Sequence, residues 1–190
     1  MMKRFTLILI AALLMLWLPC ASAEDQAPLL DEEGWAYIGY IYGGITFAVP
    51  RDYMSMDLST SDIAQGYVLM GGNADFTMQL RVFSADEMRY DDFKALILQE
   101  STAETLTRMD ADSEILVYRN TRPSANSELY GIALTGLDGL LYKISIFTGA
   151  DDAFGSEAPV WGIAEILGQS VRHQDFSEWG VPDAPDFSAE

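Results

Sequence analysis

The chain has 190 residues, which suffices for one domain with a substantial core. It carries 29 acidic and 11 basic residues, and this formal net charge of −18 disfavours binding to nucleic acid phosphates and anionic membranes. Aromatic residues make up 12% of the sequence, a composition that argues against a disordered chain.

The first 23 residues have the pattern of a secretory signal peptide. Lys3 and Arg4 give a basic start, an apolar run covers 5–18, and Ala21 and Ala23 are the small residues of a cleavage site. We therefore expect an exported mature chain that begins at Glu24, located outside the cell or in its envelope. The apolar run is shorter than the roughly 18 residues of a spanning helix, and no later run is as long, so no transmembrane segment is predicted.

Cys20, the single cysteine, lies where a bacterial lipoprotein could be cleaved and lipidated. Trp17 and Pro19 before it fit that cleavage poorly, so we favour cleavage after Ala23 over a lipid anchor on Cys20. A mature chain of this kind has no cysteine, and hence no disulfide, thiolate nucleophile or cysteine metal site.

The mature chain is predicted to have an acidic N-terminal segment, one domain and an acidic proline-containing tail. The boundaries are 24–34 for the segment, 35–173 for the domain and 174–190 for the tail. Two β-hairpins open the domain, each with alternating apolar residues around a glycine-containing turn. The predicted strands are 35–42 with 45–49, and 67–70 with 75–83. A polar connection over 51–65, with one helical turn near Asp62, separates the hairpins.

The second half of the domain is predicted to contain two helices and three strands. The first helix runs from Ser84, as its cap, to Arg108, with an apolar stripe of Phe93, Leu96 and Ile97. A loop over 109–113 precedes strands at 114–119, 129–135 and 140–147. The second helix is capped by Ser156, and its apolar face is Val160, Ile163, Ala164, Leu167 and Val171.

The predicted order of elements is ββ-ββ-α-βββ-α. Strands that follow one another in hairpins form antiparallel sheets, and amphipathic helices must bury their apolar stripes against such a sheet. We therefore predict an α+β domain with a mainly antiparallel sheet of about six to seven strands and two amphipathic helices packed on it, one on each face.

This order resembles the PsbP-like fold, which also includes the Mog-type Ran-binding import factor and many secreted bacterial proteins. The strand Gly44–Val49 followed by Pro50 and Tyr53 is similar to the apolar strand, proline and aromatic residue of that family. The helix Ile163–Val171 is similar to its final element. The resemblance spans roughly 37–172 and implies a non-enzymatic binding or accessory subunit. None of the family's functional residues matches a position here, so it implies no site residue.

The segment from Asp110 to Glu114 places Asp110, Asp112 and Glu114 at alternate positions, as in the first half of a calcium-binding loop. It lacks the glycine at the sixth position and the closing glutamate at the twelfth. A polar loop between two elements is therefore the favoured interpretation, and calcium is the one metal or cofactor that the sequence suggests. Asp151 and Asp152 are a second candidate of the same kind.

His173, the single histidine, stands beside Asp175 just after the last predicted helix. A catalytic His-Asp pair would need a nucleophile from elsewhere, and the sequence has no Gly-x-Ser-x-Gly elbow. A histidine at a helix end more often interacts with the negative end of the helix dipole or with solvent. We expect no catalytic role for it.

Phe176 and Trp179 are two large aromatic residues in the acidic tail. Such residues can insert into pockets of a partner protein, or they can fold back onto their own domain. The second interpretation is slightly favoured, and the first makes them candidate partner-binding residues.

Three functional hypotheses follow from the sequence. The first is a secreted, non-enzymatic module that binds a protein or another component of the envelope. The second is a calcium-responsive envelope protein. The third is a hydrolase with dispersed carboxylates, whose separation of about 5 to 10 Å cannot be read from the sequence.

Overall fold

The structure is a computed structural model, and it describes residues 34–110, 112–124, 127–148 and 158–177. The predicted signal peptide, nearly all of the acidic N-terminal segment, Ser156 and Trp179 lie outside the described residues. Within these ranges the elements are β1 Trp35–Tyr40, β2 Ile45–Pro50, β3 Met54–Met56, α1 Thr60–Ala64, β4 Tyr67–Gly72, β5 Phe76–Phe83, α2 Tyr90–Gln99, β6 Ala103–Asp110, β7 Ser113–Asn120, β8 Tyr130–Thr135, β9 Leu141–Thr148, α3 Pro159–Ser170 and β10 Arg172–His173.

The strands form two antiparallel sheets. The large sheet has seven strands in the order β3-β4-β5-β9-β8-β7-β6, so that β3 and β6 are its two edges. The small sheet has the order β1-β2-β10, with the short last strand paired to β2. The predicted α+β class and the antiparallel sheet of about seven strands are confirmed. The separation of the first hairpin into a sheet of its own is a difference from the prediction.

Helices and the small sheet cover the two faces of the large sheet. On one face, alternate residues of its strands pack with the apolar residues of β2 and α3 to form the main core. On the other face, Phe93 of α2 packs on Phe83, Leu116 and Tyr118 in a smaller core. This division follows from the two-residue period of the strands, which sends neighbouring side chains to opposite faces.

The predicted apolar face of α3 is the face that the structure buries. Val160, Ala164 and Leu167 have no exposed surface, and Ile163 is half-buried. Ser170 links the helix to the small sheet, because its hydroxyl accepts a hydrogen bond from the Ala48 backbone N–H at 2.8 Å. The helix begins at Pro159 with Ala158 as its N-cap, so Ser156 is not the cap.

The predicted helix from Ser84 to Arg108 is wrong at both ends. The structure has a shorter α2 with Arg89 as its N-cap, while the Ser84 carbonyl accepts backbone hydrogen bonds in a turn. The chain becomes extended at Glu100, and β6 begins at Ala103. Residues 103–108 include good helix formers, but pairing of the whole segment with β7 outweighs this local propensity. Leu96, predicted to be buried, is half-exposed.

Two short elements lie in the connection predicted to be mostly irregular. The helical turn expected near Asp62 is α1, which starts with a capping box in which Ser59 and Asp62 exchange side-chain and backbone hydrogen bonds. The strand β3 was not predicted, because three residues are too few to show a period. None of the helices in the described ranges is both long and apolar enough to cross a membrane.

Candidate functional site

The strand β6 is the longer of the two edges of the large sheet. Its eight residues pair with β7 on one side, and no described strand pairs with its other side. Leu106 and Met109 project from it with 65% and 57% of their surface exposed. An edge of this kind presents a row of backbone N–H and C=O groups that can pair with another extended chain.

Arg108 fastens β6 to the end of α3. Its guanidinium donates hydrogen bonds to the backbone carbonyls of Gly168, at 3.2 Å, and Val171. The last carbonyls of a helix have no partner within the helix, and they lie at the negative end of its dipole. A cationic donor at this position therefore satisfies buried acceptors and fixes the edge strand against the helix.

Asp110 fastens the end of β6 to β10. Its carboxylate accepts hydrogen bonds from the backbone N–H of His173 at 2.5 Å and lies 2.8 Å from the Nδ1 atom of the same residue. The Nε2 atom of His173 lies 2.7 Å from the backbone carbonyl of Thr135, and only 9% of the His173 side chain is exposed. Both ring nitrogens therefore have partners within the fold, an arrangement that serves to join three strands.

The pairing of His173 differs from the sequence-based expectation. Its carboxylate partner is Asp110 on β6 and not the neighbouring Asp175, which accepts a hydrogen bond from the Ser177 backbone N–H. The ring is therefore not solvated, and its main contacts are not with the end of a helix. Sequence spacing could not show this pairing, because the two residues are 63 positions apart.

The three candidate metal ligands are directed to different partners. Asp110 contacts His173, Glu114 contacts α2, and Asp112 is exposed in the turn between β6 and β7. Across the described ranges no three His, Cys, Asp or Glu side chains are grouped as a metal site would require. Calcium binding at this turn stays a prediction. Asp151 and Asp152 lie outside the described residues.

Glu114 joins β7 to α2 on the other face of the sheet. Its carboxylate lies 2.5 Å from the Lys94 Nζ atom and accepts a hydrogen bond of 2.8 Å from the Tyr90 hydroxyl. The hydrogen bond from Lys94 is the main cause that holds the pKa of Glu114 below its usual value. Burial, together with the neighbouring Glu114, raises the pKa of Tyr90. The edge of the sheet is thus held from both faces.

A cleft of about 440 Å³ lies between the start of α2 and the turn joining β8 to β9. Its lining combines apolar side chains, such as Met88 and Leu140, with the polar groups of Arg89 and Tyr90. Leu141 at its base belongs to the smaller core. The cleft is separate from the outer side of β6.

Of the two candidate partner-binding residues in the tail, the structure describes Phe176. Its side chain is buried on the small sheet, where it covers Gly39 so closely that a Cβ at that position would lie 2.9 Å from the ring. Phe176 is thus placed as a fold-back onto its own domain would place it. Partner binding by Trp179 stays a prediction.

The sequence-based reasoning missed the edge strand and the role of Arg108. The signal that could have found the strand is the alternation of β-branched residues at Thr105 and Thr107 with Leu106 and Arg108 between them. This two-residue period is typical of a strand and is not a pattern of one helical face. The role of Arg108 depends on a helix end 60 residues later and has no local signal.

No protein-family model matches the chain, and no curated protein matches it. Among solved structures, the chain is similar to the solution structure of cyanobacterial PsbP (CyanoP) from Synechocystis sp. PCC 6803. The TM-score is 0.47 at 13% identity, with 74% of this chain and 92% of that chain covered.

Proposed function

We propose that this chain is an exported, non-enzymatic binding module that recognises an extended segment of a partner protein by strand addition to β6. The observation that carries the proposal is an eight-residue edge strand, open on its outer side among the described residues and fixed in place by Arg108 and Asp110. A rigid edge lowers the ordering cost of binding, because the backbone groups that receive the partner strand are already aligned.

The composition and the exposed side chains of β6 favour a binding role for this edge. Native edge strands are usually protected by shortness, proline or charged side chains; β6 is eight residues long without proline or lysine, and its Arg108 and Asp110 are engaged within the fold. Leu106 lies on the α3 side of the strand, and Met109 lies on the α2 side. An added strand would therefore find an exposed apolar contact on each face of the sheet.

The charge of the chain indicates the chemistry of the partner. A formal net charge of −18 attracts basic segments and repels acidic ones over a distance of about one Debye length, roughly 8 Å at physiological salt. We therefore expect the bound segment to be extended, to alternate apolar and polar residues, and to carry lysine or arginine. Its association rate should fall as the salt concentration rises.

Site-specific photocrosslinking in the native host tests this proposal. A photoreactive amino acid is placed at Leu106, and at Leu98 and Leu137 as matched controls, since all three are exposed apolar residues on different elements. We expect one saturable adduct that forms at position 106 and not at the two controls. Adducts of equal yield at all three positions would contradict the proposal.

Hydrogen exchange on the purified complex then locates the contact. Strand addition predicts slower exchange of backbone amides in 103–110 on binding, with little change in α2. A Leu106→Glu variant should bind at least about tenfold more weakly, because a buried carboxylate would face the added strand. Protection confined to another surface would show a binding module that does not use β6.

A further inference from the structure

Three methionines lie together on one face of the large sheet at its other edge. Met56 on β3 is directly opposite Met70 on β4, and Met54 lies two residues along β3 and opposite Gly72. Residues two apart on a strand, and residues directly opposite on paired strands, share a face of the sheet. Met54, Met56 and Met70, named here the methionine cluster, therefore project to the same side.

The spacing of the methionine cluster allows its thioethers to converge. Directly opposed residues have Cβ atoms about 5 Å apart, and residues two apart on a strand are separated by roughly 7 Å. A methionine side chain has three rotatable bonds and can adjust over several ångströms. Three sulfur atoms can thus reach a single ion.

Core packing does not account for these methionines. Met54 and Met56 are 70% and 55% exposed, and Met70 is half-buried. Met78, on the next strand of the same sheet, shows the contrasting behaviour, because it is fully buried in the main core. The cluster keeps long apolar side chains in solvent at a strand of only three residues, where they add little to folding.

We propose that the methionine cluster binds a soft monovalent cation, Cu(I), through three thioether ligands. Thioether sulfur is a soft, uncharged ligand that selects Cu(I) over Ca²⁺ or Mg²⁺, which prefer oxygen. Neutral ligands leave the positive charge of the ion in place, and the acidic chain stabilises it. Asp52 and Asp57 flank the strand on either side and contribute to that field.

The first test of the site uses Ag(I), which prefers the same soft ligands as Cu(I) and is redox-inert. The full chain is used with the substitution Cys20→Ser, because the thiol of this single cysteine would otherwise compete for the ion. The ¹³C-methyl resonances of the methionines are followed by NMR, with each assigned by a Met→Leu variant. We expect Ag(I) to shift the signals of Met54, Met56 and Met70 together at one equivalent, and to leave Met88 and Met109 unchanged.

Competition with a chromophoric Cu(I) chelator, without oxygen and with ascorbate present, measures the affinity. Met56→Leu should weaken Cu(I) binding by about tenfold or more, since loss of even a group that only orients a ligand costs that much. Met109→Leu is the matched control, as an exposed strand methionine at the opposite edge. Met54→Leu, at the most exposed position, repeats the test with the least risk to folding.

Two results would overturn the proposal. One is Cu(I) affinity that is unchanged when all three residues of the cluster are replaced by leucine in a chain that keeps its melting temperature. The other is an Ag(I) shift of Met109 as large as that of the cluster, which would show unselective binding to exposed thioethers. In either case the cluster would be an apolar surface without a metal site.

Discussion

The two edges of the large sheet are built in different ways. At one edge, β6 has eight residues and is fastened to α3 and β10 by Arg108 and Asp110. At the other edge, β3 has three residues, all of them exposed, and among the described strands it pairs only with β4. The first edge presents an ordered backbone, and the second presents side chains. We therefore expect strand addition at β6 rather than at β3.

The strands next to the two edges also differ in how firmly they are held in the sheet. The neighbour of β6 is itself clamped, because Glu114 on β7 contacts Tyr90 and Lys94 of α2. The neighbour of β3 is less regular, since the pairing of β4 with β5 shifts register between Tyr67 and Leu69. Changes at the β6 edge should therefore cost stability, and changes at the β3 edge should cost little.

The largest effect is expected from Arg108→Met. This change keeps much of the aliphatic volume but leaves the carbonyls of Gly168 and Val171 without their charged donor, so the free energy of unfolding should fall by about 2 kcal/mol. Urea unfolding measures it. Ser55→Ala on β3 is the control and should change stability by less than about 0.5 kcal/mol. Equal losses for both variants would remove the distinction between the edges.

A double-mutant cycle on Asp110 and His173 tests the second fastening. Asp110→Asn and His173→Gln should each destabilise the fold, and their coupling energy should be about 1 kcal/mol because the two side chains contact each other directly. Urea unfolding of the wild type, the two single variants and the double variant gives this value. A coupling energy of zero would show that the backbone hydrogen bond alone joins β6 to β10.

A smaller, pH-dependent effect is expected from Glu114→Gln. The pKa of Glu114 is lowered in the folded protein, mainly by the hydrogen bond from Lys94, so its contribution is full above the unfolded value of about 4.3 and is lost as the pH falls through the lower folded value. The variant should be less stable by under about 1 kcal/mol at pH 7, because solvent screens this partly exposed pair.

Urea unfolding at pH 7, 4 and 3 checks the sign of this effect. The stability difference between the wild type and the Glu114→Gln variant should shrink as the pH falls below about 4. A difference that is the same at pH 3 and pH 7 would mean that the charge of Glu114 does not contribute to holding β7 against α2.

The smallest effect is expected from Met54→Leu and Met56→Leu. Both side chains are largely exposed, so each change should alter the free energy of unfolding by less than about 0.5 kcal/mol. Thermal unfolding of the apoprotein measures this. A loss above about 1 kcal/mol would show that the methionine cluster packs on the sheet, and the β3 edge would then resemble the β6 edge.

The sequence predicted the parts of the fold that local period determines. The alternation of Met78, Leu80 and Val82 and the helical spacing of Val160 and Leu167 both correspond to buried faces. The edges were harder to predict, for two physical reasons. A strand as short as β3 has no period, and β6 is a strand because β7 lies beside it, against the helix propensity of some of its residues.

The candidate site was less accessible to sequence reasoning than the fold. The sequence made Asp110 a candidate calcium ligand, because Asp112 and Glu114 follow it at alternate positions. In the structure its partner is His173 on β10. Contacts between residues about 60 positions apart depend on how the elements pack, and a single sequence carries no record of them. The acidic composition, in contrast, gave the expected sign of the partner's charge directly.

The pairing of β10 with β2 has a consequence for the order of folding. Arg172 and His173 pair with Thr46 and Ile45, so the small sheet joins two strands that lie far apart in the sequence. Such a contact of high sequence separation forms late, because a long loop must close first. We expect a variant that ends before Arg172 to leave this side of β2 unpaired, and therefore to bind chaperones more readily than the chain that includes β10.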